Sequence, residues 1–146
     1  MALGSVGAMQ AILERTLEFA KERHAFGRPI GKHQAIRHKL AEMYRDIEVG
    51  RAMLYRACAT ADPFPDPYEA AIAKLYCNEM SLRVTSEAIQ VHGGYGFTDE
   101  FPVSRFYRGA RYGTLGGGTS ETLKDLVGKW VLGDFGPDGF LDTGAF

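Results

Sequence analysis

The chain has 146 residues, 45% of them hydrophobic and 24% charged, with a formal net charge of −1. That length fits one domain with its own core and is short for a redox enzyme that must hold two substrates, so a portion of something larger is expected. The near-zero charge gives no electrostatic footprint for nucleic acid or an anionic membrane. No apolar run approaches the roughly 20 residues of a membrane span, and Met1 is not followed by the pattern of a secretion signal. Cys58 and Cys77 lie in helix-patterned segments without metal-ligand spacing, which predicts buried, reduced thiols, no metal site and a cytoplasmic location.

From Leu3 to about Arg23, the residues Leu3, Val6, Met9, Leu13, Leu17 and Ala20 recur at helical spacing and predict one buried stripe. Gly27 and Pro29 break that pattern. A second helix is predicted from Lys32 or His33, with Ile36, Leu40, Met43, Ile47 and Leu54 inward and Gly50 where a neighbouring helix approaches closely. The prolines at 63, 65 and 67 make a connector, because each lacks an amide donor and restricts the residue before it. Asp66 is placed to cap a third helix, with Pro67 in its first turn and Glu69 completing a capping box. Ile72, Leu75, Met80, Val84, Ala88 and Val91 carry that helix's expected stripe, and Gly93 with Gly94 stops it.

A fourth helix is predicted over 103–111, and a last one from Ser120 to about Leu132, with Leu123, Leu126, Val127 and Trp130 on one side and Gly133 at its end. Nothing alternates with period two. The expected fold is therefore all-α, an up-and-down bundle of four to five helices over residues 1–132. Four glycines and a proline among the last fourteen residues predict an irregular tail over 133–146. The aromatic residues are expected to be mostly core, and Arg37-His38-Lys39 a solvated helix face.

Three short motifs could carry chemistry. Gly116-Gly117-Gly118 followed by Thr119 and Ser120 places bare backbone before a helix amino terminus, where free amides and the helix dipole favour anions and polar ligands. Taken alone, it is equally an ordinary loop ahead of a cap. Gln90-Val91-His92-Gly93-Gly94 ends a helix where missing side chains would admit a ligand to the backbone, although a Gly-Gly stop is commonly structural and His92 most simply hydrogen-bonds there. Arg23-His24-Ala25-Phe26-Gly27 forms a turn whose arginine is already suited to a helix carboxy terminus.

In this order and joined by amphipathic helices, these stretches resemble the carboxy-terminal helical domain of the acyl-CoA dehydrogenases, from about Met1 to about Leu132. The resemblance implies FAD as cofactor and an acyl-CoA thioester as substrate. It implies that Arg23 reaches the FAD diphosphate, that Phe26 and Gln34 also touch the cofactor, and that Gln90, Val91, His92, Gly93 and Gly94 meet the adenine end of FAD on a neighbouring subunit. Thr119, Ser120 and Glu121 are implied against the flavin, and Gly117 and Gly118 beside the substrate. A homo-oligomer, dimer or tetramer, and companion amino-terminal and middle domains are implied as partners.

Dehydrogenation in this family needs a carboxylate to take the α-proton while hydride leaves the β-carbon. In its commoner branch that glutamate directly precedes the Gly-Thr pair, where this chain has Gly117. The Gly-Gly-Thr pattern resembles the isovaleryl-CoA and long-chain branch, whose base would fall about four residues, one helical turn, before Met1. No catalytic residue is therefore assigned within the chain, which is expected to be inactive alone. A base-less partner subunit, a superfamily member serving another purpose and a bare helical oligomerisation module are the alternatives.

Overall fold

A computed structural model of the chain describes residues 1–134. Its six α-helices are α1 (Ala2–Glu22), α2 (Gln34–Ala59), α3 (Pro67–His92), α4 (Gly94–Phe97), α5 (Val103–Gly113) and α6 (Ser120–Leu132). The all-α expectation holds, with the first, second, third and last long helices near their predicted bounds. The additional helix is α4, a single turn. Three further short elements were not expected: strands β1 (His24–Ala25) and β2 (Arg28–Pro29), paired antiparallel, and a 3-10 turn over Ile30–Lys32. The expected irregular tail falls outside the described residues from 135 onward.

The strands flank a two-residue turn in which Phe26 has φ 54° and Gly27 φ 77°, the doubly positive pattern of a type I′ hairpin. A ring-bearing residue in that region is strained. The hairpin is fixed from outside, since Ile30 N–H donates to Arg23 O at 2.8 Å and His33 Nε2 lies 3.1 Å from Ala25 O.

Helix α3 packs against α1, α2, α5 and α6. Being covered on several sides, it is built of small and polar residues where it is most enclosed: Ala71, Ala73, Cys77, Asn78, Ser81, Thr85 and Ala88 are buried. The expected Val84, Ala88 and Val91 are buried too, while Ile72, Leu75 and Met80 are only half-buried. Val6, Met9, Ile12 and Leu13 of α1 meet Met43 and Ile47 of α2, Cys77 and Val84 of α3 and Val103 of α5 in one apolar cluster. Gly50 marks the tightest crossing. A Cβ there would stand 3.3 Å from Cys77 Sγ and 3.4 Å from Val6. Burial pushes the Cys77 thiol up to about 11, and its Sγ lies 3.7 Å from the carbonyl of Gly50.

Three expectations need correction. Leu3 is 75% exposed, because it lies more than a quarter turn around α1 from the buried face that Val6, Met9, Ile12 and Leu13 define. Cys58, near the end of α2, is exposed and only Cys77 is buried. No described aromatic residue is fully buried, and Phe26, Phe64, Phe97, Tyr55 and Tyr112 are exposed. Helices packed this closely around small side chains leave room for rings only at the margin of the apolar cluster, where Tyr76, Phe101 and Phe106 lie half-buried.

The start of α3 follows its predicted capping in part. Asp66 Oδ1 accepts from the amides of Tyr68 and Glu69 at 2.9 and 3.1 Å, while the Glu69 carboxylate is taken by Arg56 Nε at 2.7 Å. Gly50→Val should destabilise the fold by about 1–3 kcal/mol through overpacking. Denaturant unfolding checks this, and a midpoint equal to wild type would mean that the crossing is not closely packed.

Candidate functional site

The residues singled out in the sequence fall into two groups at the two ends of α3. At its carboxy end, Gly93 adopts φ 61° and ψ −138° and directs its amide to Ile89 O at 2.9 Å, closing the helix. Such a conformation suits glycine. The chain then folds back as α4, tightly enough that a Cβ on Gly96 would stand 2.7 Å from Ile89 O. By contrast, a Cβ on Gly93 or Gly94 would meet nothing within 4 Å. These two glycines border open space.

That space is a cleft of about 450 Å³ lined by Arg23, Ile30, Val91, His92, Gly93 and Gly94, among others. Arg23 is the carboxy cap of α1, and its guanidinium lies over the Tyr95 ring at 5.4 Å. Among the described residues it has no carboxylate partner. Phe26 stands at the hairpin tip, 96% exposed, with its ring edge against His33 at 5.9 Å. Gln34, the first residue of α2, is exposed beside that hairpin, and Gln90 is exposed on the last turn of α3.

His92 is 4% exposed, places Nδ1 2.8 Å from Ala88 O and stacks on Phe19 at 4.3 Å. Its burial lowers its pKa, opposed by the Ala88 hydrogen bond. Buried, hydrogen-bonded to the Ala88 carbonyl and stacked on Phe19, it forms part of the cleft wall, in keeping with a structural histidine.

The second group surrounds the turn between α5 and α6. Gly117 and Gly118 have φ 62° and 92°, so both positions favour glycine. Thr119 caps α6, its Oγ1 accepting from Thr122 N–H at 3.3 Å. Ser120 is buried, with its amide on Thr114 O at 3.1 Å. Glu121 is exposed in the first turn, and hydrogen bonds from its own amide and then the Thr119 hydroxyl hold its carboxyl below the usual range. A Cβ on Gly117 would come within 2.7 Å of Met1 Sδ, so the start of α1 faces this loop.

Two residues here escaped the sequence reading. Lys74 Nζ donates to Gly118 O at 2.5 Å, and Asn78 Nδ2 donates to Gly113 O at 2.7 Å. The only sequence signal for either was a polar side chain at i and i+4 within a largely apolar stretch. Lys74 and His92 mark the two groups on α3, and the eighteen residue steps from one to the other span about 27 Å.

One consequence concerns acid stability. The pKa of folded His92 lies below its unfolded value of 6.5, so below that pH the unfolded chain takes up a proton that the folded chain refuses. Stability should fall as pH drops from about 6.5 through the folded pKa, and His92→Gln should remove that part of the loss. Thermal midpoints of both proteins between pH 7.5 and 5.5 check this. An equal acid loss in the two would assign it elsewhere.

Comparison with known proteins places this geometry. The family described as "Acyl-CoA dehydrogenase, C-terminal domain" matches residues 1–132. The 3-sulfinopropanoyl-CoA desulfinase of Paraburkholderia xenovorans is 36% identical over 129 residues, covering 88% of this chain and 33% of that protein. The solved butyryl-CoA dehydrogenase of Megasphaera elsdenii superposes with a TM-score of 0.86 at 38% identity, covering 90% of this chain and 34% of that one. An FAD complex of PigA superposes with a TM-score of 0.82 at 32% identity, covering 88% and 34%. The chain thus spans about a third of the length of the relatives it matches, and it belongs to the acyl-CoA dehydrogenase family as its carboxy-terminal domain.

Proposed function

We propose that this domain supplies two different portions of an FAD and acyl-CoA site, one at each end of α3, within an oligomeric acyl-CoA dehydrogenase. The observation that carries the reading is the separation of the two groups by about 27 Å of helix. One dinucleotide held at the Gly93 end would have to run the length of α3 to reach Gly118. Two copies of the chain, each offering the opposite end, close a site without that span, which supports a homo-oligomer.

The residues present fit the cofactor. Open space beside Gly93 and Gly94 admits a flat ring system to the backbone. Arg23 offers a guanidinium without a carboxylate partner, suited to bidentate contact with a diphosphate, and exposed Phe26 and Gln34 extend the same surface. At the other end, Gly117 to Thr119 lead into the amino terminus of α6, whose dipole favours a developing negative charge, while the amides of Ser120 and Thr122 are taken by Thr114 O and Thr119 Oγ1. FAD supplies the hydride acceptor when bound. The chain's own part is to hold the cofactor, seat the thioester near Gly117 and Gly118 and exclude water.

The α-proton needs an acceptor, and Gly117 cannot be one. In this reading the base is a carboxylate about one turn before Met1. The approach of Met1 Sδ to Gly117 supports it, because the start of α1 and the glycine loop face each other. A second reading has one observation in its favour: a glycine at 117 together with similarity to a desulfinase is consistent with cleavage of a sulfinate from an acyl-CoA in place of dehydrogenation.

The test is the full-length gene product. It should purify yellow and reduce dye with an acyl-CoA, while the isolated chain should be helical and colourless. Arg23→Ala should weaken FAD retention roughly ten- to a hundredfold, the loss of one charge-assisted hydrogen bond, with little change in folding. Unchanged retention would remove Arg23 from the site. Release of sulfite from 3-sulfinopropanoyl-CoA without dye reduction would favour the second reading.

A further inference from the structure

The glycine loop between α5 and α6 is fastened to α3 at both ends. Asn78 donates to Gly113 O, where α5 finishes, and Lys74 donates to Gly118 O, just ahead of α6. Standing four residues apart, the two project from one face of α3. Asn78 is 1% exposed, and its Oδ1 accepts from Ser5 Oγ of α1 at 2.7 Å. It ties three helices together and is an immobile reference point.

Lys74 has a different position. No carboxylate pairs with it among the described residues. Its ammonium is directed at one backbone carbonyl, and partial burial lowers its pKa. Its Cε would lie 3.8 Å from a Cβ on Gly117, and its Nζ 3.9 Å from one on Gly118, so the side chain runs along the loop.

Peptide planarity turns this contact into a direction. Across a trans peptide the carbonyl of one residue and the amide of the next point opposite ways. With Gly118 O drawn to Lys74, the Thr119 N–H is aimed away from α3. With φ 62° and 92°, Gly117 and Gly118 allow other orientations of this peptide, and the lysine selects one.

We propose that Lys74 is a positioning residue for the reaction centre: it holds the Gly118–Thr119 peptide so that the Thr119 amide, just ahead of α6, faces an acceptor oxygen of the bound flavin or thioester. The proposal rests on the flavin-facing reading of this loop. Without the lysine, the glycines leave the peptide free to turn over, and the Thr119 amide is no longer presented.

The experiment uses the full-length protein with Lys74→Met, Lys74→Arg and Lys74→Gln. Amide hydrogen exchange over 114–122 should be about tenfold faster in Lys74→Met, with α3 protection intact. FAD affinity should fall about tenfold, and the flavin absorption bands should shift. Lys74→Arg, which keeps a long cationic donor, should restore both. Lys74→Gln, too short to reach the carbonyl, should behave as Lys74→Met and serves if methionine is not tolerated. Loop exchange equal to wild type in both short variants would overturn the contact. Faster exchange with unchanged FAD affinity and bands would overturn the positioning role. A wild-type protein that takes up no FAD would overturn the reading of the site instead, while the exchange data would still decide whether Lys74 holds the loop.

Discussion

The close crossing of α1, α2 and α3 at Gly50 sets the geometry of everything around it. Cys77 Sγ and Val6 approach the Gly50 backbone as near as a missing side chain permits, and α3 meets its neighbours through alanine, serine, threonine and cysteine. Small contact residues bring helix axes together and leave little freedom for sliding. α3 is therefore a fixed rod. Whatever is attached to its two ends is held at a set distance.

Each end carries an attachment of the same physical kind, glycine backbone beside the end of a helix. At the carboxy end, Gly93 stops α3 and α4 returns beneath it, leaving an open cleft against the α1 cap. Near the amino end, Lys74 and Asn78 hold the loop that starts α6. The arginine at one end and the helix amino terminus at the other both favour negative charge. In the function proposed above, a cofactor with a diphosphate and a polar ring system uses both kinds of surface, on different copies of the chain.

Much of this was legible in the sequence because it is local. Asp66, Thr119 and Gly133 act as caps within a few residues of where they stand, so the helix ends could be read from them. The glycines at 93, 117 and 118 have backbone angles that follow from residue type. Less legible was anything set by distant neighbours. Leu3 has helical spacing like the others, yet faces away from the crossing. The rings that composition suggested for the core are displaced by small-residue packing. The hairpin depends on His33 and Arg23 accepting Phe26 in a strained turn. Lys74 and Asn78 act on carbonyls 44 and 35 residues further along the chain.

The central claim is that the two ends of α3 serve different sites in an oligomer, and a mixed assembly tests it most directly. One copy of the full-length protein would carry Arg23→Ala with Gly94→Val, altering only the carboxy-end cleft. The other would carry Gly118→Val, altering only the glycine loop. Each alone should be nearly free of FAD. If each site draws one portion from each of two copies, random pairing leaves about a quarter of the sites with both portions intact, and the co-expressed protein should bind flavin in about that proportion. If both portions of a site come from one chain, every site keeps a defect, and a mixed assembly as colourless as its parents would contradict the account.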